Sequence, residues 1–123
     1  MTILDAIHRV NVVKPNSYGD VEKVKWLSVL DGLIKSEIID THEGGENVTF
    51  DRYDDETDLT TVLLVPPPYA KVYIHWLEAQ IDYANGEYDK YENSMEMYNT
   101  AYTAYENYYN RTHMPKSNRF KFF

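Results

Sequence analysis

The stretch Asn85-Gly-Glu-Tyr-Asp-Lys-Tyr-Glu-Asn-Ser-Met-Glu-Met-Tyr-Asn-Thr-Ala-Tyr-Thr-Ala-Tyr-Glu-Asn-Tyr-Tyr109 sets Tyr88, Tyr91, Met95, Tyr98, Tyr102, Tyr105 and Tyr109 at alternating spacings of three and four residues. That spacing is the a/d seam of a heptad. It predicts one long helix over residues 87–111 with an inward edge built mostly from tyrosine. At 1.5 Å per residue the helix is on the order of 35 Å long. Asn85-Gly86 interrupts the helical pattern for two residues only. Before it, residues 68–84 carry their own stripe of Val72, Tyr73, Trp76, Leu77, Gln80, Ile81 and Ala84. Two helical patterns parted by so short a break read as an antiparallel αα-hairpin. The expected fold is mainly all-α, a small helical bundle.

Working toward the N-terminus, Pro66-Pro67-Pro68 stops any strand and pre-sets the first turn of a helix. A further helix is expected near 20–41. Ser17 to Asp20 has the spacing of a capping box, and Asp20 is itself a plausible N-cap. Val24, Leu27, Leu30, Ile34 and Ile38 follow helical spacing, and Trp26, Val29 and Leu33 widen the stripe, which predicts burial on more than one side. The helix should stop at Thr41-His42, ahead of Glu43-Gly44-Gly45. Residues 2–9 suit one or two turns, with Ile3, Leu4 and Ile7 on one side. Pro15 then pushes Lys14 to an extended backbone. Between the helices, residues 43–66 form a long acidic loop. In it Val48-Thr-Phe50 and Thr60 to Val65 favour β structure, so a short β-hairpin and an ordered loop with one extended arm are equally compatible.

With 123 residues and 43% apolar composition, the chain suits one helical domain, 1–112, followed by a basic aromatic tail, 113–123. It has no cysteine, hence neither disulfides nor a thiolate zinc site. Met1 to Val10 does not read as a signal peptide and no stretch has membrane-spanning length, so use in a cytoplasm, away from membranes, is expected. The sequons at Asn47 and Asn110 are then matches by chance. All twenty acidic residues fall between Asp5 and Glu106 beside eight Lys or Arg, a net −12, whereas residues 111–123 hold four basic residues and no acid, a net +4. Such a body repels polyanions, which argues against nucleic-acid binding by the whole protein.

No phosphate-loop, dinucleotide, zinc-protease or nucleophile-elbow motif occurs in the sequence. His42 beside Glu43 could form an acid–base pair, but a histidine at a helix C-terminus is accounted for by the helix dipole. His75, between Ile74 and Trp76, reads as a satisfied, half-buried histidine. The Asp51–Asp58 cluster lacks the alternating ligands, the glycine and the closing glutamate of a calcium loop. Neither an enzyme nor a cofactor is expected. The tyrosines read first as packing, each ring burying area while its hydroxyl finds water or a partner. Tyr83 and Tyr108 lie off the seam and, with Tyr91, Tyr98 and Tyr105, are candidates for contact with a neighbouring subunit. Base stacking would need a basic groove, and Asp89, Glu92, Glu96 and Glu106 surround the rings instead.

Four segments together carry a resemblance: Leu63-Leu-Val-Pro-Pro-Pro-Tyr69; Tyr73-Ile-His-Trp-Leu77; Ile81-Asp-Tyr-Ala-Asn-Gly-Glu-Tyr-Asp-Lys-Tyr91; and Tyr108-Tyr-Asn-Arg-Thr-His-Met-Pro115. With Val13-Lys-Pro-Asn-Ser-Tyr18 and Lys25-Trp-Leu27, they resemble small proteins of tailed-phage and prophage structural gene clusters. The layout is similar to head–tail connector (adaptor) proteins, helical subunits with a long loop before a helical hairpin and an extended C-terminal arm. The resemblance lies in pattern and brings no catalytic residue. It implies a cyclic homo-oligomer of about twelve copies in the virion neck, assembled in the host bacterial cytoplasm. That ring would sit between the portal protein and a stopper or tail-completion protein, and DNA would pass without sequence-specific binding. Portal docking would fall to Arg111, Lys116, Arg119, Phe120, Lys121, Phe122 and Phe123. Phe50, Asp54, Asp55, Glu56 and Asp58 of the loop would face the lumen or a neighbour. The rival readings are a monomeric helical interaction module and a different neck protein.

Overall fold

The computed structural model describes residues 1–116. Among these residues the chain is mainly helical: α1 (Ile3–Val13), α2 (Asp20–Glu37), α3 (Lys71–Ala84) and α4 (Tyr88–Thr112), with single 3-10 turns at Ile39–Thr41 and Gly45–Asn47. Helix α3 is the hub and packs against each of the other three. Its Val72, Tyr73, Ile74, Leu77, Ala79 and Ile81 are all buried, so it is covered on nearly every side, while Ala84 at its end is exposed.

Thr2 starts α1 with a reciprocal capping box, its hydroxyl accepting from Asp5 N–H at 3.1 Å and the Asp5 carboxylate accepting from Thr2 N–H at 3.0 Å. The helix outruns the two turns expected of it. Ile3, Ala6, Ile7 and Val10 keep one continuous buried side, and that packing overrides the β-branched run at its end. Helix α2 begins on Gly19 with no side-chain cap, so the box expected from Ser17 to Asp20 does not form. The local turn is made instead by Asn16, whose side-chain oxygen accepts from Tyr18 N–H at 3.0 Å. Val24, Leu27, Leu30 and Ile34 are buried as their spacing requires. Val29 and Leu33 are exposed, contrary to expectation, because the neighbouring elements leave that side of α2 uncovered. Beyond Thr41, Gly44 takes φ +86° and a Cβ on Gly45 would lie 2.4 Å from Ile39 O, which explains the glycine pair.

The middle segment contains no strand among the described residues, so the short β-hairpin is not formed. Residues 59–63 run along the start of α1 instead. Thr61 O accepts from Ile3 N–H and Leu59 O from Leu4 N–H, both at 3.0 Å, while Leu63 N–H donates to Met1 O at 2.9 Å. First-turn N–H groups have no partner inside their own helix, and the loop carbonyls supply one. Leu63 and Val65 enter the core and Val62 points out. Helix α3 starts at Lys71 rather than Pro68, since Pro66 to Ala70 are used in a turn closed by Tyr69 N–H to Pro66 O. Its far end is a Schellman motif: Gly86 at φ +73° donates to Tyr83 O, and Glu87 N–H donates to Asp82 O.

Candidate functional site

The hairpin contacts run antiparallel: Tyr83 meets Tyr91, Asp82 meets Ser94, Trp76 meets Tyr98 and Tyr69 meets Tyr105. The tyrosine seam closes on α3 fully only in its second half, since Tyr88 at its start is exposed and Tyr91 and Met95 are half-buried. Tyr98, Tyr105 and Tyr109 are buried, and Ala101 among them allows close approach. The Tyr98 ring lies 5.1 Å from Trp76, whose indole N–H donates to Trp26 O at 2.7 Å. Burial raises the Tyr98 phenol to about 12, with Glu37 adding to the shift. Tyr102 donates to Glu37 Oε1 at 2.6 Å, which links α4 to α2, and its phenol is also raised, by burial first and then by that bond. Of the interface candidates, Tyr98 and Tyr105 thus belong to the chain's own core. Tyr108 is half-buried against Tyr69 at 4.8 Å. Tyr91 is half-buried, and Tyr83 is exposed at the hairpin turn.

Three buried polar clusters knit the helices, and the spacing argument did not single them out. Asp31 of α2 is fully buried and accepts from Tyr53 OH and Tyr73 OH, both at 2.6 Å, and from Leu64 N–H at 3.1 Å. Tyr73 OH accepts in turn from Val65 N–H at 2.7 Å. One carboxylate thereby ties α2, two points of the middle segment and α3. Burial pushes the Asp31 carboxyl above its usual range, and the hydrogen bonds oppose that shift. Asp82 of α3, equally buried, takes Lys14 Nζ at 2.6 Å and Ser94 Oγ at 2.7 Å, joining α3 to the end of α1 and to α4. Lys23 gives its ammonium to Tyr18 O at 2.7 Å, and burial pulls its pKa down. A signal existed: Lys23 and Asp31 share the buried side of α2 with Leu27 and Ile34, where a charge needs a partner.

His42 is buried, with Nδ1 2.6 Å from Ile38 O and Nε2 2.8 Å from the Asn110 side-chain oxygen. Both ring nitrogens are thus engaged in joining α2 to α4, while Glu43 is exposed. Next to it residues 114–116 are clamped: Glu43 N–H donates to Met114 O at 2.7 Å, Lys116 N–H donates to Thr41 O at 2.9 Å, and His42 and Pro115 form an antiparallel bridge. His113 stacks on Tyr109 at 3.8 Å. Arg111 and Lys116 are exposed there. Arg119, Phe120, Lys121, Phe122 and Phe123 lie outside the described residues.

In the acidic loop Asp54, Asp55, Glu56 and Asp58 are exposed, and Phe50 is half-buried on Tyr53 at 5.3 Å. Asp54 and Asp58 are turn-formers: Asp54 accepts from Glu56 N–H and Asp58 from Thr60 N–H, each at 2.9 Å. The Thr60 N–H holds the Asp58 carboxyl below its usual value. An open cleft of about 410 Å³ lies between Phe50, Asp54, Thr57 and Val62. His75 is half-buried and bonded to Glu78 at 3.0 Å. Among the described residues no three His, Asp or Glu side chains gather as metal ligands, and no helix is long and apolar enough to cross a membrane. No protein-family model, curated protein or solved structure matches the chain.

Proposed function

We propose that the chain is a structural subunit of a head–tail connector (adaptor) ring in the neck of a tailed phage or prophage, docked on the portal and continuing the DNA channel toward the tail. The observation that carries this reading is the fastening of residues 114–116 at the end of α2. Residues 114–116 are fastened to 41–43, so the net-positive aromatic tail departs from a fixed point on a strongly acidic body. A charged arm launched from a fixed point suits engagement of neighbours in an assembly, the portal among them. About twelve copies in heterologous contact would close the ring. Its acidic lining would repel DNA and let it slide.

Light scattering on the eluting protein, alone and with purified portal, tests this. Co-elution with the portal as a ring is expected, and its loss when the chain ends at Lys116. A protein that stays monomeric in both conditions is a helical interaction module and not a connector.

A further inference from the structure

At the turn of the α3–α4 hairpin three tyrosine rings gather outside the core. Tyr83 lies 5.6 Å from Tyr88 and 5.3 Å from Tyr91, edge to face in both pairs. Tyr83 and Tyr88 are 58% and 59% exposed. None of these rings carries a seam contact to the core comparable to that of Tyr98 or Tyr105. The first turns of α4 add Glu87, Asp89 and Glu92, all exposed. The nearby cation, Lys90, is already paired with Glu87 at 3.0 Å, and Lys14 is committed to the buried Asp82. An aromatic cluster with surplus negative charge selects a segment bearing both cations and rings, because tyrosine faces attract Lys and Arg and pack on aromatic neighbours.

The chain itself contains such a segment: residues 117–123 read Ser-Asn-Arg-Phe-Lys-Phe-Phe. Distance keeps its two cations, Arg119 and Lys121, from their own hairpin tip. The tail departs at Lys116, beside His42 and Asn110, and about 33 Å of α4 separates Asn110 from Tyr88 at 1.5 Å per residue. Lys121, five residues past Lys116, extends at most ~18 Å, and Arg119 only ~11 Å. We infer that the Tyr83–Tyr88–Tyr91 cluster receives the C-terminal segment of a second copy, with Arg119 and Lys121 against the tyrosine faces and the Glu87 and Asp89 carboxylates. This rests on the assembly reading above and names its contact. Tail of one copy to tip of the next is a heterologous contact, which propagates until the rotation closes a ring.

Complementation between full-length chains tests the contact. The tip variant carries Tyr83→Ala with Tyr88→Ala; the tail variant carries Arg119→Glu with Lys121→Glu. Both should keep the wild-type circular dichroism, since the tip rings lie outside the core. Light scattering of the wild type should show mass rising with concentration. Each variant alone should associate at least about tenfold more weakly, the loss of one or more cation–π contacts. Mixed, they should form a heterodimer and stop, one supplying an intact tail and the other an intact tip. Variants that associate as the wild type does, a mixture without heterodimer, or a wild type monomeric up to about 1 mM each overturn the contact. Portal co-elution of the wild type, measured separately, decides the connector reading on its own.

Discussion

Asp31 occupies a position on α2 where its neighbours Leu27 and Ile34 are core residues, and it holds three donors from three parts of the chain. Its removal should therefore hurt more than its own small volume implies. Asp31→Ala leaves two phenol hydroxyls and one amide without an acceptor in the interior. A loss of about 3 kcal/mol or more of unfolding free energy is expected, measured by urea titration. Tyr53→Phe, which leaves the other two donors in place, should cost only about 1 kcal/mol by the same measurement. Equal costs for the two would show that the hub does not act as one. This residue was also the hardest to read from sequence. A helical stripe identifies which positions turn inward, yet it cannot say that partners 22 and 42 residues away will meet there. Glycine and apolar positions carry their meaning locally. A buried carboxylate does not.

At the scale of elements, the tyrosine helix and its partner were legible because two local signals agree. The heptad spacing gives the buried edge from Tyr98 to Tyr109, though not Tyr88, and Asn85-Gly86 gives the reversal. The Schellman motif at that turn depends on Gly86 at φ +73°. Nothing crowds a Cβ there, so Gly86→Ala tests backbone conformation alone. It should destabilise by about 1 kcal/mol, while Gly86→Asn should cost less, as asparagine tolerates the left-handed region. Thermal melts of the two variants check the order, and an alanine as stable as the wild type would overturn it. The middle segment failed as a hairpin for a reason outside its own composition. Its extended residues pair with the free N–H groups at the start of α1 rather than with each other. The α2 surface was overestimated in the same way, since spacing shows that Val29 and Leu33 are near the stripe and not whether anything covers them.

For the molecule as a whole, the tyrosines set an alkaline limit. Tyr53, Tyr73, Tyr98, Tyr102, Tyr105 and Tyr109 are all held above the ordinary phenol range, burial being the leading cause in each. A folded chain with raised phenol values retains protons that the unfolded chain sheds above about pH 10. The stability from these groups is complete below that pH and declines as pH climbs toward the folded values. The urea midpoint should fall between about pH 9 and pH 11, and phenolate absorbance from the buried rings should appear together with loss of helix. A constant midpoint across that interval would contradict it. The clamp on residues 114–116 has a mechanical meaning as well. A pull on the chain beyond Lys116 is met first by the Lys116–Thr41 and Glu43–Met114 hydrogen bonds, and only after they part does load reach the last turn of α4. Tension applied beyond Lys116 is thus handed to the end of α2, where His42 is bolted to Ile38 and Asn110, so the long tyrosine helix is shielded from being peeled off its partner.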